Sequence, residues 1–205
     1  QTLADVTLPS GFAWADTTTS VGEIGTHSFS ATYTPSDTAN YTTVTGISVS
    51  ISVGKATPSY STPTGLTATY GQTLADVTLP SGFTWADAGS TSVGNAGTNT
   101  FDVTFTPTDT VHYVVVTDIS VSVSVGKATP SYTTPTGLTA TYGQTLADVT
   151  LPSGFTWADA GFTSVGTAGA STFDVTFTPD DTANYSAVTG ISVSISVSKA
   201  TPSYT

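Results

Sequence analysis

Only 8% of the 205 residues are charged, against roughly 25% in ordinary globular chains. Three Lys and no Arg in a net charge of -11 leave no basic surface for nucleic acid or for anionic membranes. With no Cys and no Met there are no disulfides, no thiolate chemistry and no sulfur to oxidise, which suits an extracellular setting.

Internal repetition organises the rest. The string QTLADVTLPSGF begins at Gln1, Gln72 and Gln144, and the string KATPSY at Lys55, Lys127 and Lys199. The chain therefore divides into a partial repeat at 1–54, full repeats at 55–126 and 127–198, and at 199–205 the start of a further repeat or a strand that completes the preceding one. The first copy is one residue shorter between its Trp-Ala-Asp and its Ser-Val-Gly, a place where a loop absorbs length change. No stretch reads as a signal peptide, anchor or membrane span, so no membrane insertion is expected in this window.

Taking the middle copy in order, Lys55–Tyr60 joins the preceding strand without a flexible Gly/Ser linker, and Pro58 stiffens it. Leu66, Ala68 and Tyr70 alternate with small polar residues, the period of a half-buried strand. Pro80-Ser81-Gly82 marks a turn ahead of Phe83-Thr84-Trp85, and Gly94 with Gly97 marks another. Phe101, Val103 and Phe105 form the next alternation, ended by Thr106-Pro107. The last runs through Ile119, Val121, Val123 and Val125, with Ser120, Ser122 and Ser124 facing the other way. Between Val116 and Ile119 the spacing slips, so a bulge is expected at Asp118 and at its counterparts Gly46 and Gly190. Six or seven short strands per copy, with no helix of useful length, predict an all-β chain of small β-sandwiches.

The runs Asp37–Tyr41, Asp109–Tyr113 and Asp181–Tyr185 resemble the Asp-x-Ala-x-Tyr corner of immunoglobulin domains, although Thr43, Val115 and Ala187 stand where the disulfide Cys would be. With LTATYGQTLADVTLP, GFTWAD and ISVSVSVGKATP, the whole chain looks like the Ig-like tandem repeats of bacterial cell-surface proteins and adhesins. That resemblance implies immunoglobulin-like β-sandwiches in an elongated rod, Tyr41, Tyr113 and Tyr185 pinning corners through their hydroxyls, and a spacer role with no catalytic residues to transfer.

Candidate sites are few. Trp14, Trp85 and Trp157 are read as core rings, with sugar stacking as the alternative. Asp109, Asp180 and Asp181 are the candidates for calcium, set against the preferred reading of turn-making Asp; otherwise no metal and no cofactor is expected. Lys55, Lys127 and Lys199 mark the junctions, packed along their aliphatic stems rather than crosslinked. His27 and His112 stand at non-equivalent positions and read as solvated surface groups. With no nucleophile beside a base, the chain is not expected to be an enzyme. The expected function is a semi-rigid stalk or filament at the cell surface, whose partners are neighbouring repeats and further copies of the chain. The alternative is an adhesive module meeting glycans or host ligands through repeated aromatic or Thr-rich faces.

Overall fold

The computed structural model describes residues 1–203. The chain is all-β: apart from three 3₁₀ turns, Leu3–Asp5, Leu74–Asp76 and Leu146–Asp148, its regular structure among the described residues consists of strands. These are β1 (Phe12–Trp14), β2 (Gly25–Tyr33), β3 (Val44–Val53), β4 (Leu66–Thr69), β5 (Phe83–Trp85), β6 (Gly97–Phe105), β7 (Val116–Gly126), β8 (Leu138–Thr141), β9 (Phe155–Trp157), β10 (Gly169–Phe177) and β11 (Val188–Ser198). They form one curled sheet per copy, ordered β1-β2-β3, β4-β7-β6-β5 and β8-β11-β10-β9. In each full copy the long last strand is central, parallel to the short strand that opens the copy and antiparallel to the one before it.

The long strands form where the period-two pattern is cleanest. Along β7, Ile119, Val121, Val123 and Val125 are buried while the serines between them are exposed, and β11 repeats this with Ile191, Val193, Ile195 and Val197. The expected bulge is present. In β2–β3, Ala31 faces Ile47 but Tyr33 faces Val44, so three steps of one strand oppose two of the other, and β10–β11 slips in the same place. The backbone turns left-handed there, with φ of 72° at Gly46, 69° at Gly190 and 59° at Asp118. Asp is one of the few non-glycine residues that tolerates this region.

Fewer strands form than the sequence predicts: four in each full copy. At Leu74-Ala75-Asp76, local hydrogen bonding outcompetes the ladder. The Asp76 carboxylate accepts the Thr73 amide at 2.8 Å and the Thr73 hydroxyl at 3.0 Å, a capping arrangement that closes a single 3₁₀ turn. The same pair recurs at Thr2–Asp5 and Thr145–Asp148. The Ser-Val-Gly segments turn back through serine hydroxyls, Ser92 taking the Gly94 amide at 3.1 Å, and meet the turn only at single bridges such as Thr73–Ser92.

The chain separates into two compact units: Gln1–Ser61 with Ser81–Thr84 and Thr104–Ile119, and Thr62–Pro80 with Trp85–Val103 and Ser120–Thr205. In the first, Leu3 of the 3₁₀ turn, Val21 of the loop before β2 and Ala31 of β2 are buried. The Leu3 amide donates to Thr19 O at 2.9 Å, which ties the 3₁₀ turn to the loop after β1. In the second, the main cluster is Leu138, Ala140, Leu146, Val149, Val165, Val175 and the four apolar residues of β11, flanked by Phe155, Trp157, Phe173 and Phe177. Each fully buried Val, Leu or Ile in such a cluster is worth about 1.5–3 kcal/mol relative to exposure. Gly154 makes one close approach possible. A Cβ there would lie 2.9 Å from the Phe177 ring, and φ is +83°, so only glycine fits.

Candidate functional site: the corner and the segment laid across it

Each corner is built by its Asp. In the second unit, Asp181 Oδ1 accepts the Asn184 amide at 3.2 Å and Oδ2 accepts the Asn184 side-chain Nδ2 at 2.8 Å. The Tyr185 amide donates to Asp181 O at 3.0 Å. Asp37 and Asn40 make the same turn in the first unit, with Asn40 Nδ2 to Asp37 Oδ2 at 2.7 Å, and that bond holds the Asp37 carboxyl below its ordinary pKa. In the middle copy His112 stands in for Asn: its amide donates to Asp109 Oδ1 at 3.1 Å and its Nδ1 lies 2.7 Å from Asp109 Oδ2. These bonds, the amide first, hold Asp109 low as well. The carboxylate therefore makes these corners. Of the corner tyrosines, Tyr41 is 67% and Tyr113 39% exposed, while Tyr185 is half-buried.

In the full copies the Lys-Ala-Thr-Pro-Ser-Tyr segment crosses the corner of its own copy. In the first unit, Lys55 Nζ donates to Thr110 O at 2.6 Å. The Ala56 amide donates to His112 O at 2.8 Å and the Val114 amide returns to Ala56 O at 2.9 Å, a short parallel bridge. Pro58 is buried, and Tyr60 packs on two rings, 6.1 Å from Phe83 and 5.3 Å from Phe105. Lys127, Ala128, Pro130 and Tyr132 repeat this within the second unit, with Lys127 Nζ to Thr182 O at 2.6 Å and Tyr132 5.4 Å from Phe177. Both Lys hold a carbonyl and stay exposed. Lys199 is exposed too; of its segment, Tyr204 and Thr205 lie outside the described residues.

The fourth corner residue also reaches the preceding copy. In the first unit, His112 Nε2 lies 2.9 Å from Glu23 Oε2, so one imidazole bridges two carboxylates and its pKa is raised, by Asp109 first and then by Glu23. In the second unit, Asn184, only 8% exposed, accepts the Ala96 amide on Oδ1 at 2.9 Å. Beside it Tyr70 meets Tyr185 edge-on at 5.3 Å. His112 is exposed, as the sequence reading has it, but its two carboxylate partners were not foreseen and Asn184 was passed over. The readable signal was a polar residue at the same place in every corner: Asn40, His112, Asn184.

The Trp residues are half-buried. Trp14 Nε1 donates to Val6 O at 2.9 Å, and Trp157 Nε1 to Val149 O at 3.3 Å while meeting Phe173 edge-on at 6.1 Å. One side of Trp157 borders a shallow groove with Leu146, Val149, Leu151 and Phe155. Asp109 and Asp181 spend their oxygens on the corner turns, and Asp180 lines the groove beside Asp181. Among the described residues no three His, Asp or Glu side chains converge as a metal site requires. No family model matches the chain, and no curated protein or solved structure does.

Proposed function

We propose that this chain is a stretch of immunoglobulin-like repeats from an extracellular surface protein, serving as a semi-rigid stalk or fibre rather than as an enzyme. The observation that carries this reading is that successive copies are bonded at the same place. A Ser-Val-Gly loop in one copy meets the fourth corner residue of the next, as Glu23–His112 in the first unit and Ala96–Asn184 in the second. Such a joint, used at every step, suits a spacer, where stability is approximately a sum of repeat and interface terms. The low charge, the absence of sulfur and the lack of convergent catalytic groups fit the same role. Small-angle X-ray scattering of the parent and of a chain lengthened by one repeat tests it. The expected result is a maximum dimension that increases by one repeat length; a compact particle whose dimension barely changes would sink the reading.

A second reading rests on the groove beside Trp157, whose indole is half-exposed and flanked by apolar side chains. It is an adhesive face for glycans. Trp fluorescence titrated with oligosaccharides tests it, and an emission unchanged at saturating sugar would discard it.

A further inference from the structure

The contact between copies in the second unit is made by one peptide group. The Ala96 amide, which donates to Asn184 Oδ1 at 2.9 Å, and the Asn95 carbonyl belong to the same planar trans peptide, so they point in opposite directions. Whatever holds the carbonyl therefore aims the amide. That partner is Asn99, whose Nδ2 donates to Asn95 O at 2.7 Å and to Val93 O at 2.9 Å.

Asn99 is the third residue of β6, and strand alternation puts it on the same face as Phe101 and Val103. A half-buried polar side chain on that apolar face needs partners, and both of its side-chain N–H groups are spent on loop carbonyls. Gly94 lets it come so close: a Cβ there would lie 3.1 Å from Asn99 Nδ2, and φ is +84°. The first unit solves the same problem with a different residue. The third residue of β2 is His27, whose Nε2 donates to Glu23 O at 2.6 Å, the counterpart of Asn95 O. A Cβ on Gly22 would lie 3.1 Å from that nitrogen, at φ +88°. From the backbone so held, the Glu23 side chain reaches His112 Nε2 at 2.9 Å. Imidazole and carboxamide have in common an N–H that reaches the same loop carbonyl.

We infer, on the reading of these contacts as the joints of a stalk, that Asn99 and His27 are their positioning residues. Each holds a loop carbonyl so that the loop's amide or side chain meets the corner of the following copy. The polar residue at this place in the strand then determines the coupling between copies, beyond the stability of its own copy.

Amide hydrogen exchange of the 205-residue chain tests this, read by NMR at Ala96 with the amides of β7 as the control for folding. Asn184→Ala removes the acceptor and Asn99→Ala leaves it in place, and each is expected to speed exchange at Ala96 about tenfold while β7 keeps its protection. Asn99→His, the first unit's solution, is expected to restore the parent's rate. In the Asn184→Ala background, Asn99→Ala is expected to add little. In the first unit, His27→Ala should lower the titration midpoint of His112 by releasing Glu23, and His27→Asn should keep it. Parental exchange at Ala96 in Asn99→Ala overturns the inference. So does an equal effect of Asn99→Ala in both backgrounds, faster exchange throughout β7, no rescue by Asn99→His, or an unchanged His112 midpoint in His27→Ala. If Asn184→Ala itself leaves Ala96 at the parent's rate, the contact between copies fails and the stalk reading loses its support as well. If only Asn99→Ala does so, the positioning role alone falls.

Discussion

His112 lies between the Asp109 and Glu23 carboxylates at 2.7 Å and 2.9 Å, and both raise its pKa above the ordinary 6.5. A group whose pKa is raised on folding adds stability below its unfolded value and loses it as pH rises through the folded one. Asp109, held low, acts in the opposite direction: its contribution is present above the ordinary 3.8 and lost as pH falls through the lowered value. The contact from the first copy to the second is thus firmest between the carboxylate range and near-neutral pH, and it loosens on the alkaline side. Titration of the His112 ring by NMR should give a midpoint above 6.5, which Glu23→Gln lowers; a midpoint at or below 6.5 in the parent contradicts the assignment. His112→Asn should make the contact insensitive to pH near neutrality, as read by hydrogen exchange around Glu23.

Asp118 tests a different property of a single residue, since its left-handed φ of 59° falls where the other copies carry Gly46 and Gly190. No atom lies within 4 Å of a Cβ built on either glycine, so substitution there costs backbone conformation and not space. Asp118→Gly is expected to stabilise by about 0.5–1 kcal/mol, and Gly190→Ala to destabilise by about 1–2 kcal/mol, in chemical denaturation. Equal effects of opposite residues, or a destabilising Asp118→Gly, would show that the bulge is not held as described.

At the scale of elements, the long strands were legible because alternation of Val or Ile with Ser over seven or eight residues leaves one reading, and because a slip in that alternation has one common cause, a bulge. The Leu-Ala-Asp segments were not. Each is turned by a Thr three residues ahead of an Asp, a contact across one turn that apolar periodicity does not register. Where the crossing segment lies was not legible. Ala56 bonds His112 and Val114 more than fifty residues downstream, a pairing that no local signal encodes. The same comparison ranks the copies. In β3 the apolar residues Ile47, Val49, Ile51 and Val53 are only half-buried, whereas their counterparts in β7 and β11 are buried beside a parallel neighbour strand. Amides at the open edge of a three-stranded sheet exchange sooner. Hydrogen exchange should therefore release β3 well before β11, and Tyr132→Ala, which strips a ring from Phe155 and Phe177, should bring β11 closer to β3. Protection in β3 equal to that in β11 would count against this ranking.

For the whole molecule, the question is how much of its stability resides in the contacts from one copy to the next. Asn40 and Asn184 offer a controlled comparison, because each makes the same turn with its own Asp, at 2.7 Å and 2.8 Å, and only Asn184 also accepts an amide from the preceding copy. Truncating Asn184 to Ala leaves the Ala96 amide without that acceptor at a site where Asn184 is 8% exposed. Leaving a buried polar group unpaired costs about 1–3 kcal/mol. Truncating the exposed Asn40 removes the turn bond alone, so its cost is smaller, and the difference between the two variants measures the contact between copies. In an array whose repeats are coupled through such contacts, that loss also broadens or splits the unfolding transition. Denaturation followed by Trp emission should show Asn184→Ala unfolding in a broader or two-step transition, with Asn40→Ala retaining the parent's shape. If the two variants behave alike, stability is confined to the separate cores, and the regular placement of corner and loop has no mechanical consequence.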